Sequence, residues 1–421
     1  MKQQYDSYKP SGIDCIGDIP SHWEVFTLKQ ASTSIRNGYV GPTKDILVED
    51  GIPYIQSLHI KDGRIIFSRG GYYVSPEWGL KHPKIFTNDI VIVQTGDIGQ
   101  VALVPEEFNE CNCHALIIVV CDNRKAYPAY LCYYLRSSIG KELMLLTKTG
   151  ATLPHLNSGS ICNTQIVLPP LAEQEAIAAW LDEKCGEIDA AIAKVDREIE
   201  LIDELKQSEI SRVVTRGLNP DAPLRPSGID WIGDIPEHWK MCRFKNFMYL
   251  KTTPSVSDIK VGLENLESGS GKFIESDTEF EGNGVEFCTN NILYGKLRPY
   301  LKKVWLAEFS GNAIGDFFVF SNCPNSNASY LKYVLLSDGF TKQADGSTFG
   351  AKMPRVSSEF ILTLPFYLPP LAEQQAIADY LDKKCAEIDG LKAKLNRKRE
   401  TLTELRQSII SEVVTGKRKV I

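Results

Sequence analysis

Two segments of this chain occur twice in the same order, and that duplication constrains the fold more than any other feature. PSGIDCIGDIPSHW (10–23) returns as PSGIDWIGDIPEHW (226–239). LPPLAEQEAIAAWLDEKCGEID (168–189) returns as LPPLAEQQAIADYLDKKCAEID (368–389). The second match runs on from QSEISRVVT (207–215) to QSIISEVVT (407–415), and a short GATLP (150–154) is echoed by GAKMP (350–354). The offset is 216 residues for the first segment and 200 for the second, so the middle of the first copy is 16 residues longer. A repeat of this kind implies a duplicated frame. The chain divides into a domain at 1–167, a helix at 168–217, a second domain at 218–367 and a second helix at 368–421. The frames match and the domain middles do not.

The helices are the clearest local reading. Ile188, Ile192, Val195, Ile199 and Ile202 form one apolar seam, and Ile388, Leu391, Leu395, Leu402, Leu405 and Ile409 form the other. Spacing that averages 3.5 residues suits a coiled coil. Pro170 and Pro370 suit the first turn, Glu173 and Glu373 complement the positive end of the helix dipole, and Gly217 and Gly416 suit the stop. Such a helix spans about 66 Å at 1.5 Å per residue. A lone helix of that length with one apolar stripe needs a partner, either its own domain or the other long helix.

Charge favours the second choice. Net charge is −6 overall, but residues 166–217 carry −6 and residues 366–421 carry +3. An antiparallel pair is expected, because a parallel one would crowd both domains at one end. The repeat then requires the chain to close on itself with Ile13 close to Val414. The domains read as mixed α/β, with strands near 52–55, 89–93, 115–120, 292–294 and 317–320 and short helices near 127–135 and 329–336.

No apolar run is long enough for a membrane span, and the N-terminus lacks the apolar core of a signal peptide. Eleven cysteines without a secretion signal read as reduced thiols, and the expected location is the cytoplasm. Catalytic motifs are absent. GSGKF (269–273) lacks the spacing of a P-loop, and TGDIG (95–99) lacks that of a dinucleotide fingerprint. CNCH (111–114) has no second pair at zinc spacing, and no metal is expected. His22 and His238, both in the repeated IP-x-HW segment, read as structural. A net acidic chain does not show the basic footprint of a free-standing DNA binder.

Taken together, the PSGID-x-IGDIP-x-HW opening, the LPPLAEQ-x-AIA-x-x-LD helix start and the domain–helix–domain–helix order resemble the specificity subunit of type I restriction–modification systems. The segments NILYGKLRP (291–299) and GLENLESGSGKF (262–273) also resemble that family's target-recognition domains. The resemblance implies two α/β target-recognition domains related by a pseudo-two-fold and joined by two long antiparallel coiled-coil helices. It implies a non-catalytic chain that reads an asymmetric bipartite sequence in double-stranded DNA. It further implies partners: two methyltransferase subunits, which would carry S-adenosylmethionine, and an endonuclease/translocase subunit. This chain would hold no cofactor. Partner subunits closing around the duplex would supply the phosphate neutralisation that the acidic chain lacks.

Base reading calls for Arg, Asn, Gln and small polar residues on loops, and phosphate positioning for Lys and Arg. In the first domain the candidates are Arg36, Asn37, Tyr39, Gln56, Ser57, His59, Thr95, Asp97, Gln100, Lys148 and His155. In the second they are Lys251, Thr252, Asn265, Ser268, Lys272, Lys296, Arg298, Tyr300, Lys352 and Arg355. Arg298 leads, because Gly295 and Pro299 hold its loop and Lys296 lies beside it. Two other readings stay open: a coiled-coil scaffold without a nucleic-acid role, and an enzyme with an unrecognised site.

Overall fold

The computed structural model describes residues 4–68, 71–148, 155–255, 257–350 and 353–420. The chain forms two units. One joins Met1–Lys194 to Lys398–Ile421, and the other is Val195–Arg397. The long helices, Leu171–Arg216 (central) and Leu371–Val414 (C-terminal), are therefore shared. The first unit holds the start of the central helix and the end of the C-terminal helix, and the second holds the other two halves.

Each unit is organised around a four-stranded antiparallel sheet. In the first the order is Val101–Leu103, Ile90–Val93, Leu116–Cys121, Ser32–Asn37. In the second it is Val304–Leu306, Ile292–Gly295, Phe317–Asn322, Met248–Lys251, with the same order along the chain. The expected strands and the helices Pro128–Arg136 and Ala328–Leu336 are present, with ends displaced by one or two residues. The central strands are buried on both faces. Ile90, Ile92, Ile117 and Val119 join the core that contains the helices, while Val91, Val93, Leu116 and Ile118 join the core against a second sheet. Alternate side chains thus enter different cores. That double burial explains why DIVIV shows no polar alternation.

The second sheet is where the copies part. Both contain one parallel pair, Asn112–Cys113 with Ile52–Ile55 and Gly311–Ala313 with Lys260–Val261. In the first unit the sheet grows outward from Ile52–Ile55 through Tyr73–Val74 to Leu47–Val48. In the second it grows from the opposite side, from Gly311–Ala313 through Gly284–Phe287 to Pro254–Ser255.

The repeated sequences make the frame. His22 and the Trp23 indole N–H both bond the Glu173 carboxylate, at 2.8 and 3.2 Å. His238 and Trp239 bond Glu373 at 2.7 and 3.1 Å. The HW of one motif thus clamps the Glu of the other. The next residue is buried in both copies. Gln174 donates to the carbonyls of Pro169 and Lys125 and accepts from the Tyr127 N–H. Gln374 does the same with Pro369, Asn325 and Asn327. These bonds tie the first turn of each long helix to the loop before the short helix beside it.

Within each unit the long helices run antiparallel. In the second unit Asp203 pairs with Lys392 and Lys206 with Asp389, so three residues forward on one helix meet three residues back on the other. In the first, Asp189 pairs with Arg406, and the Tyr130 hydroxyl sits between the carbonyls of Val167 and Val414. Both open readings of the helices therefore hold in part: each helix packs on domain cores near its ends and on the other helix between them. The expected seam needs a correction at Leu391 and Leu405, which are 50% and 45% exposed. One residue beyond Leu405, and at the matching place in the central helix, the buried positions are Arg406 and Lys206. Here an ion pair replaces an apolar contact in the seam. Both helices stop at glycines in the left-handed region, Gly217 at φ 71° and Gly416 at φ 73°. The expected closure is present: Ile13 and Val414 share one core, and the Tyr8 hydroxyl donates to the Gly416 carbonyl at 3.2 Å.

No helix among the described residues is long and apolar enough to cross a membrane. All eleven cysteines are unpaired. Cys111 and Cys113 of the CNCH segment are buried, which pushes their thiols up to about 11 and about 12.

Candidate nucleic-acid interface

Five candidates of the first unit, Asn37, Thr95, Asp97, Gln100 and His155, gather at one end of its central sheet. Asn37 ends one edge strand, and its Oδ1 accepts from the Gln94 side chain at 2.8 Å. The Gln94 carbonyl accepts from the Leu156 N–H, which brings His155 beside Thr95. Thr95 and Asp97 are exposed, and the Gln100 side chain donates to Asp97 at 3.0 Å. Gly96 and Gly99 have φ of 82° and 79°, so this tight turn requires glycine at both places.

From Asn37 the chain crosses to the second sheet. Tyr39 bridges to His114, whose N–H donates to the Ile55 carbonyl just before Gln56 and exposed Ser57. Tyr39 lies edge-on to a Trp78–His82 stack whose rings are 3.8 Å apart. Burial lowers the His114 pKa, which favours its neutral form. Lys148 is exposed beyond helix Ser138–Leu146, outside this cluster.

In the second unit three cationic candidates converge. The Arg298 N–H donates to the Pro354 carbonyl, and the Val356 N–H donates to the Lys296 carbonyl. Asp316 lies 3.6 Å from the Lys296 ammonium and 3.1 Å from the Arg355 guanidinium. Arg355 and His155 stand 200 residues apart, at matching places in the two copies. Arg298 is exposed, with φ 49° and ψ 66°, in the left-handed region that a residue with a Cβ rarely occupies. Among the described residues its guanidinium has no hydrogen-bond or ion-pair partner, and it is open to solvent. Lys352 lies outside the described residues.

Several candidates have internal roles. His59 and Asn265 are both buried and close the same turn in the two copies. The His59 ring accepts from the Gln56 N–H at 2.9 Å, and Asn265 accepts from the Gly262 N–H at 3.0 Å. Both are buried, and each closes its turn through one side-chain acceptor. Arg36 donates to the Lys84 carbonyl at 2.8 Å. Lys251 faces Asn291 and Glu286 at 3.4 and 3.6 Å, with Thr252 exposed next to it. Lys272 is paired at 2.6 Å with Asp389 of the C-terminal helix, and Ser268 and Tyr300 line the same crevice of about 510 Å³. Sequence reasoning missed Gln94, His114 and Asp316. Only sheet pairing reveals them, since each orients a candidate remote in sequence.

The type I restriction modification DNA specificity domain matches residues 20–200 and again 266–398. The chain belongs to this family. Each match runs from a globular domain into a long helix, as the repeat does. Relatives include the MjaVIII specificity subunit of Methanocaldococcus jannaschii, 24% identical over 96% of this chain and 94% of its own. The EcoKI specificity subunit of Escherichia coli is 22% identical over 95% and 90%. Among solved structures, a chain from work on complex assembly and conformational transition of a type I restriction–modification system shares the fold. Its TM-score is 0.69 at 17% identity, covering 94% of this chain and 98% of that one.

Proposed function

We propose that this member of the specificity family reads an asymmetric bipartite DNA target, one half-site with each unit. One observation carries the reading: the units share a frame held by the same clamps, yet build their second sheets from opposite sides. Equal frames with unequal faces suit two different half-sites. The long helices would scaffold two methyltransferase subunits and an endonuclease/translocase subunit in the cytoplasm. S-adenosylmethionine would reside in the methyltransferase subunits, and this chain would contribute recognition without a chemical step.

The first unit offers Asn37, Thr95, Gln100 and His155, with Tyr39, Gln56 and Ser57 adjoining. The second offers Lys296, Arg298 and Arg355. Arginine is suited to guanine, donating two bonds to the O6/N7 edge in the major groove. The test is methylated-base mapping in cells carrying the full system. The expected result is one motif with two different half-sites and an unspecified gap. A palindromic motif, or methylation independent of this chain, would refute the reading.

A further inference from the structure

Asp189 and Asp389 occupy the same place in the two copies, and each is held by two cations. In the second unit one Asp389 oxygen receives the Lys206 ammonium of the central helix at 2.6 Å. The other receives the Lys272 ammonium of the domain at 2.6 Å. In the first unit Asp189 receives Arg406 of the C-terminal helix at 2.6 Å and Arg64 of the domain at 3.4 Å. Lys206 and Arg406 are buried, while Lys272 and Arg64 are largely exposed. One carboxylate thus joins a buried helix–helix pair to a surface hairpin.

The hairpins correspond as well. Each follows the turn closed by His59 or Asn265, and each carries a glycine in the left-handed region, Gly63 at φ 84° and Gly271 at φ 76°. A Cβ on Gly63 would meet Arg136, and one on Gly271 would meet Leu336, positions 200 residues apart. In the second unit the hairpin continues to the reading loop. The Gly269 N–H donates to the Lys302 carbonyl, and Lys302 ends the turn that begins at Arg298. The Lys302 ammonium then donates to Gln207 of the central helix at 2.6 Å.

We propose that Asp389 is a positioning residue for recognition: with Lys272 it fixes the hairpin, and through it the Arg298 turn, against the long-helix pair. In the first unit the matching hairpin is held at two points, by Arg64 on Asp189 and by Asp62 on Arg406, each at 3.4 Å. The proposal rests on the DNA reading above. It gives Lys272 the role of a tie to the helix rather than a phosphate contact. Discrimination in one half-site then depends on a carboxylate that touches no DNA.

A charge exchange separates this role from folding. In Lys206→Asp/Asp389→Lys the helix–helix pair re-forms with its signs reversed, but Lys272 now faces a lysine. The full chain, co-expressed with its methyltransferase subunits, is tested against a library varied at every target position, with melting temperature measured alongside. The double variant is expected to melt like wild type and to lose about tenfold in discrimination within one half-site, the order of coupling between contacting residues. Adding Lys272→Asp is expected to restore it. Full discrimination in the double variant, or no recovery in the triple, overturns the proposal. If the double variant does not fold, Lys272→Gln keeps the buried pair, and its loss must again be confined to one half-site. Wild-type complex without sequence preference would instead overturn the DNA reading itself.

Discussion

Gln174 offers the sharpest test of how the repeated motif holds a unit together. Its amide group makes three bonds inside the protein: to the Pro169 carbonyl at 2.9 Å, the Lys125 carbonyl at 2.8 Å and the Tyr127 N–H at 2.8 Å. Gln174→Leu keeps most of the volume and removes all three. Each stranded buried group costs about 1–3 kcal/mol, and partial relaxation of the 125–127 loop toward water recovers some of it. The expected loss is about 3–5 kcal/mol, and a unit of this size falls by roughly 2–4 °C per kcal/mol. Urea unfolding with limited proteolysis resolves the units, because Gln374 stays intact and serves as an internal control. The first unit should open earlier and the second unchanged. A loss below about 1 kcal/mol, within the ordinary worth of one hydrogen bond, would refute the argument that the amide is irreplaceable.

Arg298→Ala is expected to weaken target binding by about 1–3 kcal/mol per lost base contact, with Arg298→Lys recovering little, measured by titrating labelled DNA into the reconstituted complex. Unchanged binding would remove Arg298 from the interface. Burial opposes ionisation of Asp389, but the Lys206 and Lys272 ammoniums outweigh it and hold the carboxyl below its ordinary value. An acid with a depressed folded pKa stabilises above its unfolded pKa and loses that contribution as pH falls through the folded one. The second unit should therefore gain nothing from Asp389→Asn at any pH above about 4, and the wild-type advantage should vanish only below that, as melting curves across pH would show. Among the cysteines only Cys15 and Cys288 are exposed, and burial raises the Cys15 thiol. Cys288 should be alkylated first in the native chain, and mass spectrometry that finds Cys113 modified earlier would contradict the burial.

The frame was legible because it is written twice. A duplicated Trp and a duplicated Glu, 150 residues apart in the first copy and 134 in the second, are visible in the sequence, although the contact between them is not. The helices were legible as to length and antiparallel pairing, but the seam was placed wrongly at Leu391 and Leu405. Heptad reasoning counts apolar residues, and here a lysine and an arginine with carboxylate partners occupy the buried positions. The interface was the hardest part to read. Asn and His suit both base edges and turn closure, and only the fold separates Asn265 and His59, which close turns, from Asn37, which ends a strand beside Gln94. The second sheets, built from strands of two to four residues, carry too little periodicity to be ordered in advance.

The sharing of helices between units also sets an order of manufacture. The second unit is complete once Arg397 has been made, whereas the core of the first still awaits Ile409, Ile410, Val413 and Val414. The half of the protein that leaves the ribosome first is therefore the half that finishes last, and its unfilled apolar face stays open throughout synthesis of the remainder. A chain cut short near its end would damage its beginning.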